Sequence, residues 1–187
     1  MRFFLSLLGI VIFIVVVIVI IASHGSGKPA PKPINLDNFN TANSSVTQIT
    51  TGELVGEESR QAVKVTVTQS ARTIYLLSGY ENNVSSSETF ANTPAAYSAF
   101  LGALQNNGFA VSRPTTEANM FGVCPLGDTY QYELDNYTST VSSLWSTSCS
   151  ITDGTFNGYG STIRQLFSLQ IPNFLTYVQN ESTISSF

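Results

Sequence analysis

Residues Cys124 to Cys149 read CPLGDTYQYELDNYTSTVSSLWSTSC, and this stretch decides most of the fold. Apolar and polar side chains alternate before and after Asn136-Tyr137, which is the pattern of two half-buried strands joined by a turn. With Asn136 and Tyr137 as the central residues of the turn, Cys124 comes to lie directly opposite Cys149. We therefore predict an antiparallel hairpin closed by a Cys124–Cys149 disulfide, with two free buried thiols as the alternative.

The same register divides the side chains of this hairpin between two faces. A shift of one residue would turn the apolar set to solvent, so the alternation specifies the register. A longer loop centred on the same two residues is the alternative to a tight turn, because tyrosine is unusual in tight turns. Leu144 is the one apolar side chain on the polar face. The apolar face is predicted to contain Leu126, Tyr130, Tyr132, Leu134, Val141 and Trp145.

Further elements are predicted upstream of the hairpin. The alternating run Val63–Val67 and the apolar run Arg72–Tyr80 are predicted to pair as a second hairpin, and Glu81–Ser87 is predicted to be a polar loop. Thr93-Pro94 begins a helix with a cap residue and a proline at the first position, and Asn107-Gly108 ends it. One face of this helix carries Tyr97, Phe100, Leu101 and Leu104.

Two segments on either side of the cysteine stretch complete the predicted domain. Phe109–Arg113 is expected to return as a strand, since the helix needs a sheet to cover its apolar stripe. Ser161–Gln170 is predicted to be a second helix, with Thr162 and Gln165 as a capping box. Its apolar face carries Ile163, Leu166 and Phe167.

The N-terminal residues 3–22 read FFLSLLGIVIFIVVVIVIIA, twenty residues without a charge. As a helix this run is about 30 Å long, which matches the hydrocarbon core of a bilayer. A cleaved signal peptide is the alternative, but its apolar region spans only about 7 to 15 residues. We therefore predict a transmembrane signal anchor over residues 1–23, with residues 3–22 in contact with lipid.

The rest of the chain divides by composition into a stalk, a domain and a tail. Residues 24–51 are predicted to be a Pro/Ser/Asn-rich stalk, residues 52–179 an extracytoplasmic domain and residues 180–187 a polar tail. The even cysteine pair suits an oxidising compartment, so the N-terminus is placed in the cytoplasm and the domain outside. The predicted fold class is α+β, an antiparallel sheet with two covering helices, preceded by one N-terminal transmembrane helix.

Charge and residue usage set several functional classes aside. The formal net charge is -4 with scattered basic residues, which predicts no nucleic-acid partner. His24 is the single histidine and follows the apolar run, so a histidine-dependent catalytic triad is not expected. Zinc spacings such as HExxH, the P-loop lysine and GxGxxG are missing from the sequence. We predict no catalytic residue, no metal and no cofactor.

The Gly-rich segment before the second helix supplies the candidate binding residues. Backbone amides at the start of a helix can hold an anion, and a basic side chain would assist. The competing interpretation is a flexible turn with a helix cap. Two tyrosines on predicted loops are further contact candidates, because aromatic rings stack on sugars and peptide side chains. The candidate binding residues are Tyr137, Gly158, Tyr159, Gly160, Ser161 and Arg164.

These features predict a single-pass, membrane-anchored, extracytoplasmic domain that is not an enzyme and acts by interaction or within the cell envelope. Its partner is expected to be a protein or a glycan. A carboxylate-based hydrolase or a glycan-binding or glycan-processing module at the cell surface is the first alternative, because two suitably spaced carboxylates suffice for glycoside hydrolysis. A subunit of an envelope complex or filament is the second alternative.

Overall fold

The computed structural model describes residues 34–117 and 119–179 of the 187-residue chain. The predicted α+β fold with an antiparallel sheet is confirmed over these residues. Six strands lie in the order β4-β3-β2-β1-β5-β6. They are β1 (Ser44–Thr51), β2 (Gln61–Thr68), β3 (Ala71–Ser78), β4 (Asn83–Ala91), β5 (Thr129–Asn136) and β6 (Ser139–Thr147). The helices are α1 (Pro94–Asn106), α2 (Gly160–Ser168) and the short α3 (Phe174–Gln179), with 3₁₀ turns at Leu36–Phe39 and Glu57–Ser59.

Several sequence predictions fall outside the described residues. They are the transmembrane helix of residues 3–22, the signal anchor of residues 1–23, the first part of the stalk and the tail of residues 180–187. Within residues 34–117 and 119–179, none of the helices has the length and apolar character needed to span a bilayer.

The second half of the predicted stalk is part of the folded domain, so the predicted domain start at residue 52 is wrong. Strand β1 (Ser44–Thr51) occupies the middle of the sheet, between β2 and β5. Leu36 is fully buried before it, and Val46 is fully buried within it. Ser, Thr and Gln fill most of the remaining positions of β1, and this polar composition resembles a linker. Two neighbouring strands bury such a sequence because their ladders satisfy its backbone groups.

The predicted hairpin of Val63–Val67 with Arg72–Tyr80 is confirmed as β2 and β3, joined at Gln69-Ser70. The predicted loop Glu81–Ser87 is wrong, because most of it belongs to strand β4. Strand β4 is an edge strand with mostly exposed side chains, so it lacks the alternation that identifies half-buried strands.

Helix α1 forms as predicted and covers one face of the sheet. The Thr93 side chain accepts a hydrogen bond from the Ala96 amide, and Gly108 after the helix has φ +74°. The Phe100 ring meets the Phe167 ring of α2 edge to face, with 5.1 Å between centroids. Both predicted helices thus pack on the sheet. Their apolar side chains share one hydrophobic core with the valines of β2 and with Tyr132 and Leu134 of β5.

The β5–β6 hairpin forms, but the predicted register is wrong. Tyr132 pairs with Leu144, and the turn is centred on Tyr137-Thr138 with a bulge between Leu134 and Asp135. Tyr137 takes up a positive φ of 36° there. Consequently Leu144 is the buried apolar residue of β6. The predicted core residues Val141 and Leu126 are exposed, and Trp145 lies half-buried on the opposite face of the sheet.

The Cys124–Cys149 disulfide is confirmed, with 5.7 Å between the two Cα atoms. It lies beyond the paired residues, because β5 begins at Thr129 and β6 ends at Thr147. A turn in which the Gly127 amide donates to the Cys124 carbonyl brings the first cysteine back toward the second. The disulfide therefore does not depend on direct pairing of the cysteines across the hairpin.

Phe109–Arg113 does not form a strand, contrary to the prediction. Only Ser112 makes an isolated bridge, to Phe156, while Phe109 is buried in the core. Strand β1 already occupies the position beside β5 in the sheet. Residues 109–113 therefore form the connection that runs from α1 along the loop before α2.

Candidate functional site

A cavity of about 630 Å³ lies where the first turn of α2 meets the ends of β5 and β6. Five of the six candidate binding residues line it, namely Gly158, Tyr159, Gly160, Ser161 and Arg164. Tyr137 does not belong to this group. It is 80% exposed in the turn at the other end of β6, where its amide donates to the Asn43 carbonyl. The other lining residues are Arg113, Tyr130, Ser146, Thr147, Ser148, Ser150, Ile151, Phe156 and Asn157.

Arg164 is held over an aromatic ring at the wall of this cavity. Its guanidinium carbon lies 4.0 Å from the centroid of the Tyr130 ring, which is a close cation–π contact. Its Nε atom is buried and has no hydrogen-bond partner within the described residues. Position five of α2 places this side chain beside the start of its own helix, because side chains lean toward the helix N-terminus.

The first turn of α2 has no side-chain cap. The helix begins at Gly160, and its N-cap residue Tyr159 makes no capping hydrogen bond. The predicted Thr162–Gln165 capping box is therefore wrong, since Thr162 is already inside the helix. An uncapped first turn leaves backbone N–H groups without side-chain acceptors, next to Arg164.

Gly158 packs the loop against the end of α1. A Cβ atom on Gly158 would lie 2.5 Å from the Gly108 carbonyl oxygen and 2.7 Å from that of Asn107. The Tyr159 amide donates to the same Asn107 carbonyl at 3.0 Å. Glycine at this position thus lets the loop approach α1, and Gly158 shapes the site without offering a side chain to a ligand.

The Tyr132 hydroxyl is a buried polar group at the same place, which sequence reasoning assigned only to the core. Tyr132 is 1% exposed, and its hydroxyl makes no hydrogen bond of normal geometry among the described residues. It lies 3.4 Å from the position that a Cβ atom of Gly160 would occupy. Burial raises the pKa of Tyr132, and the nearby Ser146 and Arg164 side chains partly offset that rise.

Asp128 is the acid associated with this site. The Tyr130 hydroxyl donates to its Oδ2 atom at 3.3 Å, and its backbone amide donates to the Ser148 hydroxyl at 2.8 Å. Burial raises the pKa of Asp128, while the Tyr130 hydrogen bond and the Arg164 charge lower it and the Glu53 charge raises it further.

Arg113, the second arginine in the lining, donates hydrogen bonds to backbone carbonyls of a neighbouring loop. Its Nε donates to the Gly154 carbonyl at 2.9 Å and its Nη2 to the Asp153 carbonyl at 2.6 Å. Its Nη1 donates to the Ile151 carbonyl. Arg113 therefore holds the loop that forms the outer wall of the cavity. No local pattern in the sequence indicates this role, because the three carbonyls lie 38 to 41 positions away.

A second, more apolar cleft of about 780 Å³ continues from the first between α2 and α3. Ser161 and Arg164 line both spaces, and the exposed Leu169 and Leu175 line only the second. Among residues 34–117 and 119–179, no three His, Cys, Asp or Glu side chains come together as metal ligands.

No protein-family model matches this chain, and a search of the curated proteins finds no matching relative. The function is therefore inferred from the cavity beside α2 and from the chemistry of its lining.

Proposed function

We propose that this protein is a membrane-anchored, extracytoplasmic domain that works by binding a ligand in the cavity beside α2. The observation that carries the proposal is the convergence of Arg164, the uncapped first turn of α2 and the 70% exposed Tyr159 on one cavity of about 630 Å³. Clefts of this size that combine apolar walls with a few polar groups are typical ligand sites.

The extracytoplasmic location is supported by the Cys124–Cys149 disulfide, because such bonds persist in oxidising compartments. We propose residues 3–22 as the membrane anchor, with the N-terminus in the cytoplasm. An amine-reactive label that does not cross membranes should then modify the domain in intact cells. Labelling only after lysis would contradict this topology.

The proposal of binding without catalysis is supported by the groups in the cavity wall. Its lining carries two arginines and several hydroxyls but none of the described carboxylates. One observation favours a carboxylate-based hydrolase as the second candidate: Asp128 is buried, has a raised pKa and is linked to the cavity wall by the Tyr130 hydroxyl. Such an enzyme would need a second carboxylate within about 5 to 9.5 Å of the first, around the scissile bond.

The experiment uses the full-length chain in lipid nanodiscs with a panel of acidic oligosaccharides, neutral oligosaccharides and short peptides. Calorimetry should detect one-to-one binding of at least one class, and Tyr159→Ala should weaken that binding about tenfold or more. Tyr137→Ala is the matched control, since it removes a similarly exposed tyrosine at the far end of β6. Failure of every class to bind, or equal losses in both variants, would overturn the proposed site. Release of new reducing ends from a bound oligosaccharide would favour the hydrolase.

A further inference from the structure

We infer that the ligand of this cavity is a sugar that carries a carboxylate, with the acid group at Arg164 and the sugar ring against Tyr159. This inference rests on the proposed function and specifies the chemical class of the ligand. It depends on the hydrogen-bond donors at the start of α2 and on the residues that line the surrounding wall.

Several hydrogen-bond donors lie where α2 begins. The buried Arg164 Nε and the buried Tyr132 hydroxyl both lack a hydrogen bond of normal geometry among the described residues. The uncapped first turn of α2 adds backbone N–H groups, and the positive end of the helix dipole lies at the same point. A group with acceptor oxygens and a negative charge is the complement to this arrangement.

The positive charge of Arg164 is only partly opposed by the protein. The Arg164 charge lowers the pKa of Asp128, while its guanidinium makes a cation–π contact with the Tyr130 ring. Burial raises the pKa of Asp128, so the negative form of this acid is disfavoured relative to an exposed carboxylate. Arg113 adds no free donor set to the cavity, since the loop carbonyls engage three of its nitrogens. Arg164 is thus the cation of this wall that is available to an anion.

A carboxylate fits Arg164 better than a point-like anion does. The contact with the Tyr130 ring restricts the position of the guanidinium. A planar guanidinium forms paired hydrogen bonds to a planar carboxylate. The glycine at the helix start is also favourable, because a Cβ atom on Gly160 would lie 3.3 Å from Arg164 Nη1. Glycine therefore leaves space between Arg164 and the backbone of the first turn.

The exposed rim of the cavity suits a sugar ring. Tyr159 lines the cavity and is 70% exposed, so its ring is accessible for stacking. Asn157 and Ser161 also line the cavity and are exposed, with both donor and acceptor atoms. The volume of about 630 Å³ exceeds what a lone anion fills and lies in the range of small-molecule sites. An acidic sugar thus uses both the charged inner part and the polar, aromatic rim.

The test compares three probes on the full-length protein in nanodiscs. The first is a uronic-acid trisaccharide, the second is the same trisaccharide with its carboxylates reduced to alcohols, and the third is a sulfated trisaccharide. We expect the uronic acid to bind at least tenfold more tightly than its reduced form. Arg164→Gln should remove this preference, whereas Lys64→Gln, which removes a cation of strand β2 outside the cavity, should retain it. Raising the salt concentration should weaken binding of the uronic acid more than that of the reduced form.

The outcomes separate this inference from the proposed function. Equal binding of the uronic acid and its reduced form, with loss in Tyr159→Ala, overturns the role of the carboxylate but leaves the cavity as a binding site. Binding of the sulfated probe alone overturns the choice of a carboxylate. Failure of all three probes, together with failure of the wider ligand panel, overturns both proposals. A melting temperature of Arg164→Gln within about 5 °C of wild type shows that this variant is folded. Arg164→Lys serves as a second variant, because it keeps the positive charge but lacks the planar guanidinium.

Discussion

The guanidinium carbon of Arg164 lies 4.0 Å from the centre of the Tyr130 ring. This contact joins α2 to β5 and restricts where the Arg164 side chain lies in the cavity wall. The hydroxyl of the same tyrosine donates a hydrogen bond to Asp128, so a single side chain connects the cation and the acid of the site.

A double-mutant cycle measures the contact between these two residues. Tyr130→Leu and Arg164→Met are combined, and the coupling in the free energy of unfolding is expected to be about 0.5 to 1 kcal/mol in favour of the native pair. Urea denaturation of the four proteins gives this quantity. A coupling within about 0.3 kcal/mol of zero would show that the stacking does not stabilise the fold.

Removal of the disulfide should destabilise the domain strongly. The bond joins cysteines that are 25 positions apart, and the double variant Cys124→Ser/Cys149→Ser is expected to lose about 3 kcal/mol of unfolding free energy. Non-reducing mass spectrometry should find the two cysteine peptides linked in the wild type. The wild type in reductant is the control and should match the double variant; free thiols in the untreated protein would contradict the pairing.

Substitution of Gly158 should disturb the loop that forms the cavity. Gly158→Ala places a Cβ atom 2.5 Å from the Gly108 carbonyl oxygen, and we expect a loss of about 1 to 3 kcal/mol by thermal or urea unfolding. Gly102→Ala is the matched control, because Gly102 lies inside α1 with nothing within 4 Å of the added Cβ. That control should gain about 0.5 to 1 kcal/mol from helix propensity. The same sign for both substitutions would refute the steric argument.

The raised pKa of Asp128 predicts a pH dependence of stability. The folded protein holds the Asp128 proton more tightly than the unfolded chain, so ionisation lowers the free energy of unfolding as the pH rises through the raised pKa. Asp128→Asn should therefore melt at a higher temperature than wild type at pH 7. The difference should shrink as the pH falls toward and below the ordinary aspartate pKa of about 3.9.

Glu58→Gln is the control for this pH series, since it removes a carboxylate from an exposed 3₁₀ turn. Its melting temperature should follow that of wild type across the same pH range. A lower melting temperature of Asp128→Asn at pH 7 would mean that the hydrogen bond from Tyr130 to the ionised acid outweighs the cost of burial.

Local signals in the sequence were sufficient for several elements. Thr93-Pro94 and Asn107-Gly108 predicted the ends of α1, and the alternation of Val63, Val65 and Val67 predicted β2. These signals work because capping and alternation involve residues that are close in the chain. The cysteine pair likewise indicated its own bond, since the chain contains only two cysteines.

Part of the candidate site was also predictable, because glycines and a basic residue around a helix start indicate a binding loop. Gly158, Tyr159, Gly160, Ser161 and Arg164 do line one cavity. Tyr137 does not, and the contributions of Arg113, Tyr130 and Tyr132 came from strands and loops that are distant in the sequence. A short sequence pattern does not indicate contacts between residues that are far apart in the chain.

The sequence by itself determined the α+β class, the helix that begins at a capping threonine, the two hairpins and the disulfide partners. The tertiary structure alone decided that Ser44–Thr51 lies in the middle of the sheet and that Asn83–Ala91 forms one of its edge strands. It also decided that Leu144 faces the core. The physical reason is that strand order and register depend on which partner satisfies each backbone group and buries each side chain, and those partners are brought together only by the folded chain.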